Sequence, residues 1–351
     1  MENTRQPASP TRRMPPEWAP HAATWLSWPH NRDTWPGVFD GVEPAMAQAA
    51  AALAETELVY INVLDAEHEA HVKRLLDPLA PPERIRYFRI PTNDAWVRDH
   101  GPIFVHDAAA PLVALDFEYN AWGGKYPPYD LDRLAAARMA EAIGVPRVAY
   151  DVVLEGGSID VNGAGALLTT EQCLLNPNRN PRMTKAEIEA VLRDAFGVDE
   201  IVWLGEGIVG DDTDGHIDDL TRFVAERKVV TVVEPNTADP NHAPLAENLE
   251  RLRAVTIAGR PIEVVELPMP EPLFNGDERL PASYANFYIA NEQVLLPVFA
   301  CPQDDVARDV LAACFPGRRI VPIDCRALVG GLGALHCLTQ QVPAAQDAQD
   351  T

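Results

Sequence analysis

The chain has 351 residues, and its 52 acidic against 29 basic side chains give a formal charge of −23. No basic stripe is present to neutralise phosphates, so nucleic acid is excluded as a partner, as is an anionic membrane surface. A cationic small molecule is favoured instead, and with 47% hydrophobic residues the chain can bury a large core.

Residues 1–13 are polar with no apolar region behind them, and no stretch has the apolar length of a membrane span. The five cysteines (Cys173, Cys301, Cys314, Cys325, Cys337) are odd in number and lack CxxC spacing, which argues against a disulfide framework or a zinc motif. Free thiols fit a reducing cytoplasm. Residues 1–13 and 344–351 read as flexible tails, and 14–343 as one domain.

In chain order, helices alternate with short β-rich strands. A helix at 67–76 precedes a strand at 85–90, and a helix at 131–143 precedes one at 147–154. The helix at 185–196 opens with Thr184 and Glu187, a capping-box pair, and leads to a strand at 200–204. Helices at 243–256 and 304–314 precede strands at 262–267 and 319–324. The strand starts are spaced by 62, 53, 62 and 57 residues, the mark of an internal repeat of five mixed β/α units. Hairpin-like stretches follow some strands, at 165–170 with 173–175 and at 223–225 with 229–233. A fold class of α/β, as a five-bladed β/α propeller, accounts for this, with the early strand at 23–28 completing the fifth unit. An open α/β sheet with irregular insertions is the alternative.

Four loops after these strands carry unusual sequences: Asn93-Asp94-Ala95-Trp96-Val97-Arg98-Asp99, Glu155-Gly156-Gly157-Ser158, Gly210-Asp211-Asp212-Thr213-Asp214-Gly215-His216-Ile217-Asp218-Asp219, and Gly330-Gly331-Leu332-Gly333-Ala334-Leu335-His336-Cys337. Loops at one face of a scaffold are where sites form. Cys337, after a glycine-rich turn, is either a nucleophile or a small buried hydrophobe; the other four cysteines read as the latter. His216 and Asp218, two apart, share one side if they lie on a strand, and such a pair can move protons and bind a cation. The acidic run 211–219 does not fit an EF-hand, because its glycine offset is wrong and the distal Glu is missing. Glu155 reads as either a turn cap or a site residue, and Arg98–Asp99 as either an ion pair or part of a site. Trp96 and Trp122 are either core aromatics or walls that stack a cation. Trp25, Trp28 and Trp35 read as core.

Taken together, these motifs resemble the agmatine deiminase family of the guanidino-group-modifying (pentein) superfamily. The likeness runs from Pro15-Pro16-Glu17-Trp18 and Ser27-Trp28-Pro29 to His336-Cys337-Leu338-Thr339-Gln340-Gln341. It implies a five-bladed β/α propeller that hydrolyses agmatine to N-carbamoylputrescine and ammonia, with no metal and no organic cofactor, and that forms homo-oligomers. It implies Cys337 as nucleophile, His216 as acid and base, Asp99 and Asp218 as the guanidinium clamp, and Glu155 as support for His216. Trp96, Trp122, Asp212 and Gly331 fall at substrate-binding positions. Two departures stand out: Gly331-Leu332-Gly333 replaces three glycines, and Asp-Asp-Thr-Asp-Gly-His replaces Glu-Thr-Asn-Gly-His. The alternatives are another guanidine enzyme on this scaffold (an arginine or peptidyl-arginine deiminase, or an amidinotransferase) and a non-enzymatic binding propeller.

Overall fold

A computed structural model describes residues 12–345. Five sheets share one pattern, a central strand with a parallel neighbour reached through a helix and an antiparallel neighbour on its other side. In chain order of their central strands, the first contains His21–Ser27, parallel to Leu58–Val63 and antiparallel to Gln340–Pro343. It is extended by Ile85–Arg89. The second has Ala110–Glu118 between Ile103–Asp107 and Arg147–Val153, and Arg12–Arg13 lies on its edge. The third has Ala166–Thr170 between Asp160–Val161 and Glu200–Leu204. The fourth has Lys228–Val233 between Thr221–Ala225 and Glu263–Pro268. The fifth has Gln293–Val298 between Tyr288–Ile289 and Arg319–Asp324.

The helices form where their ends are chemically satisfied. Asp65 accepts from the N–H groups of Glu67 and His68 at the start of Ala66–Leu76. Thr184 and Glu187 make the expected capping box before Lys185–Phe196, which ends at left-handed Gly197. Each amphipathic helix lays its buried face on the adjoining sheet, and Trp28 and Trp35 sit in the largest core while Trp25 packs with Tyr60 and Phe88.

Several expectations need correction. The helix Phe39–Ala54 and the strand Leu58–Val63 were not anticipated; Pro44 inside that helix masks its periodicity, and a continuous buried alanine-rich face compensates. The early strand belongs to the first sheet with Leu58–Val63, and it is the C-terminal strand Gln340–Pro343 that joins it there. Residues 171–174 form a helical turn, because Thr170 caps it by accepting from the Cys173 N–H, so no hairpin follows the third central strand. The 221–233 hairpin does form. Arg12 and Arg13 are paired with Asp107 and His106 and are no part of a loose tail; residues 1–11 and 346–351 lie outside the described residues.

Candidate active site

Immediately before each antiparallel strand the chain makes a short helical turn or a tight reverse turn. These are Val97–His100, Gly156–Ser158, Ile217–Asp219, Tyr284–Asn286 and the segment at 335–338. Hydrogen bonds join four of the five neighbouring pairs of turns. The Gly157 N–H donates to Asp99 Oδ1 at 3.0 Å, and Asn286 Nδ2 donates to Asp219 Oδ1 at 3.0 Å. The His336 N–H donates to the Asn286 carbonyl at 3.1 Å, and the Arg98 N–H to the Cys337 carbonyl at 3.2 Å. The turns at 156–158 and 217–219 touch directly. Four of the five are the loops that stood out in sequence.

This circuit gathers the expected residues at the floor of a cavity of about 1270 Å³. Cys337, Asp99, Trp96, Trp122, Asp212 and Gly331 line it. His216, Asp218 and Glu155 lie behind, fully buried. Asp218 Oδ2 lies 3.8 Å from Cys337 Sγ. The His216 ring has Asp99 Oδ1 3.8 Å from Nδ1 and Glu155 Oε2 3.9 Å from Nε2. A Cβ on Gly157 would come within 2.5 Å of His216 Nδ1, 2.9 Å of Asp99 Oδ1 and 3.0 Å of Asp218 Oδ2, so only glycine lets these three groups converge. His216 precedes a 3-10 turn rather than lying on a strand, yet His216 and Asp218 both abut Gly157.

The walls are held from outside. The Trp122 indole donates to Asp99 Oδ2 at 3.0 Å, from a backbone with φ of +55° that follows Ala121 at +52°. Such strain persists only where the surroundings enforce it. Trp96 stacks obliquely on Trp35 at 5.3 Å. In the Gly331-Leu332-Gly333 segment, a Cβ would meet the Trp35 ring from Gly331 and the Trp96 ring from Gly333, while the Leu332 side chain packs, half-buried, against the core from a backbone with a φ of +72°. The middle position therefore admits a side chain at the cost of backbone strain, and the flanking ones do not.

Burial pushes the Cys337 thiol well above its ordinary range, and Asp218, Asp219 and Asp99 add to the effect. Burial opposes a charged His216, but Asp99 and then Cys173 and Glu155 hold its imidazolium well above the usual value. Burial, with Asp218 and Glu155 nearby, lifts Asp99 to about 6 against the pull of His216. Asp218 and Glu155 go down despite burial, the first through His336 and the second chiefly through Arg179.

Several participants escaped the sequence reading. Asn286 Nδ2 lies 3.1 Å from Cys337 Sγ, on the fourth turn, whose Tyr-Ala-Asn sequence is unremarkable; its place before a strand in the repeat was the only signal. His336 sits between Asp218 Oδ2 at 2.6 Å and Glu17 Oε2 at 2.8 Å. Glu17 also meets Arg222 at 2.9 Å and accepts from the Ile289 N–H. Arg179 grips Glu155 at 2.7 Å. Cys173, read as filler, lies beside Glu155 and His216.

Comparison with known proteins shows the family. The family model of the Porphyromonas-type peptidyl-arginine deiminases matches residues 13–343. The agmatine deiminase of Ectopseudomonas mendocina is 38% identical over 98% of this chain and 99% of its own length. The structure of the Enterococcus faecalis agmatine deiminase superposes with a TM-score of 0.90 at 32% identity, covering 96% of this chain and 97% of that one. An agmatine deiminase of C. jejuni with substrate bound gives 0.88 at 30% identity, covering 96% and 97%. The chain belongs to the Porphyromonas-type peptidyl-arginine deiminase family, among the agmatine deiminases.

Proposed function

We propose that this protein is an agmatine deiminase, a hydrolase of the amidine C–N bond that yields N-carbamoylputrescine and ammonia. The observation that carries the reading is a buried thiol flanked by Asp99 and Asp218 at the floor of a cavity whose described lining is rich in carboxylates. Of the lining basic residues, Arg279 is bound by both oxygens of Asp239 at 2.7 and 2.8 Å. Arg32 stacks on Phe39 and faces Asp40 at 3.6 Å. Asp33, Asp94, Asp132, Asp212 and Glu278 also line the cavity. This acidic lining favours the distal amine of agmatine over the carboxylate of arginine.

Asp99 and Asp218 hold the planar guanidinium by paired N–H···O bonds, each worth about 1.5–3 kcal/mol. The bound cation offsets the carboxylates that disfavour the thiolate, so the Cys337 thiol gives up its proton to solvent as substrate binds, and the Sγ thiolate attacks the guanidinium carbon to form a tetrahedral adduct. His216, kept charged by its surroundings, protonates the departing nitrogen; the C–N bond breaks and ammonia leaves a thiouronium. Water then adds to that carbon while His216 takes one of its protons, and the C–S bond breaks as the remaining hydroxyl proton passes to the departing sulfur, releasing the ureido product and the Cys337 thiol. Glu155, fixed by Arg179, orients His216. Trp96 and Trp122 wall the guanidinium, and Asp212 and Gly331 shape the distal cavity.

On this reading residues 14–343 are one catalytic domain in the cytoplasm, with the five sheets as blades of a β/α propeller; the circuit of five turns supports that arrangement. A substrate panel of agmatine, arginine, a blocked arginine peptide and guanidinobutyrate, read as ammonia release, tests it. Agmatine leads by at least about 100-fold in kcat/KM, the scale set when a buried polar group loses its partner. Cys337→Ser abolishes turnover of every substrate. Preference for arginine or its peptide overturns the substrate; turnover by the Ser variant overturns the nucleophile.

A further inference from the structure

The sequence contains no metal-binding motif, yet the fold assembles one possibility from three separate segments. Glu155, Cys173 and His216 present a carboxylate oxygen, a thiol and an imidazole nitrogen, all within 4.8 Å of one another. All three side chains are fully buried. Both ring nitrogens of His216 and Oε2 of Glu155 have no hydrogen-bond partner among the described residues. Buried polar groups are rarely left so, and each such atom calls for an explanation. Arg179 occupies only Oε1 of Glu155, and its own charge is met by Asp214 at 2.5 Å. Asp99 lies 3.8 Å from His216 Nδ1, and Asp211 accepts from the His216 N–H, so further carboxylates surround the three groups.

Sulfur, nitrogen and one carboxylate oxygen form a donor set suited to zinc and poorly suited to calcium or magnesium, which take oxygen. A tetrahedral zinc ion holds such donors roughly 3.5 Å apart, so the side chains draw in by about 1 Å and leave a fourth position for water.

We propose that Glu155, Cys173 and His216 form an inhibitory site for Zn2+ or a like thiophilic divalent ion. The metal takes the lone pair with which His216 accepts a proton and the free oxygen of Glu155, so an occupied site and a working catalytic histidine exclude each other. The inhibition rests on the function proposed above; the binding of metal does not.

The test separates the two. In full-length Cys337→Ser protein, which removes the competing nucleophile thiol, Co2+ is titrated and followed by absorption. One equivalent gives tetrahedral ligand-field bands with a thiolate-to-cobalt charge-transfer band, and Zn2+ displaces both. Adding Cys173→Ser removes the charge-transfer band. Should that double variant not fold, Glu155→Gln in the Cys337→Ser background keeps the band but weakens Co2+ binding at least about tenfold. In the otherwise unaltered enzyme, Zn2+ inhibits agmatine turnover, a chelator reverses this, and Cys173→Ala raises the half-inhibiting concentration at least tenfold. A charge-transfer band that survives Cys173→Ser places the metal on another cysteine and overturns the site, as does an absence of any band. A cobalt site in a protein that does not deiminate agmatine leaves the metal site standing and removes only the function.

Discussion

At the scale of single residues, Gly157 shows how a missing side chain can be functional. Its N–H donates to Asp99, and its bare Cα lets His216, Asp99 and Asp218 approach one point. Gly157→Ala inserts a methyl where no neighbour can yield without moving His216, Asp99 or Asp218. A displacement near 1 Å can cost about 100-fold in rate. We therefore expect kcat/KM for agmatine to fall by about that factor while circular dichroism stays native; wild-type kinetics would show that the three groups tolerate separation. The sequence displayed Gly156-Gly157 but not which glycine was needed or why, because the clash comes from residues about 60 positions away in either direction.

At the scale of elements, two loops over the cavity are tied together. Lys125 Nζ donates to the Asp212 carbonyl at 2.5 Å and to Asp214 Oδ1 at 2.9 Å, and the Tyr126 hydroxyl meets Asp212. Arg179 and Asn178 hold Asp214 from below. This joins the loop that carries Trp122 to the loop that carries His216. Lys125 is partly exposed, so its ion pair contributes about 1 kcal/mol at most. Lys125→Ala should raise KM for agmatine up to roughly fivefold with kcat retained. A fall in kcat with KM unchanged would place the loop contact in the chemical step instead. The helix–strand repeat was legible here, since capping boxes and amphipathic periods are local. Phe39–Ala54 was not, because its proline and alanines carry no period and its stability comes from packing.

At the scale of the molecule, buried charge joins the N-terminal segment to two sheets and two of the turns. Glu17 meets Arg222, His336 and Arg98 and caps the Ile289 N–H. Burial opposes its ionisation, but Arg222 and His336 hold its carboxyl well below the ordinary 4.5. Its contribution is therefore complete above pH 4.5 and lost as the pH falls below that value. Glu17→Gln should destabilise the protein by about 3 kcal/mol at neutral pH, the usual result of breaking a buried pair. In denaturant titrations the gap between variant and wild type narrows below pH 4.5; a gap constant with pH would mean that Glu17 acts only by packing. The charge of −23 makes a second forecast. A cationic substrate is attracted over a Debye length of about 10 Å at 0.1 M salt, so kcat/KM for agmatine falls with ionic strength while kcat does not. A salt-independent kcat/KM would confine the useful acidity to the cavity.

The sequence by itself determined the α/β alternation, the Thr184–Glu187 helix cap and the loops that bear Cys337, His216, Glu155 and Asp99, since these depend on neighbours within a few residues. It also determined the excess of acid, which at first only excluded anionic partners. Tertiary structure alone decided which carboxylates lie near the thiol, that Asn286 reaches its sulfur and His336 reaches Asp218, that Arg279 in the pocket is already paired with Asp239, and that Cys173 adjoins His216. Each of those facts is a distance between segments far apart in the chain, and no local pattern encodes it.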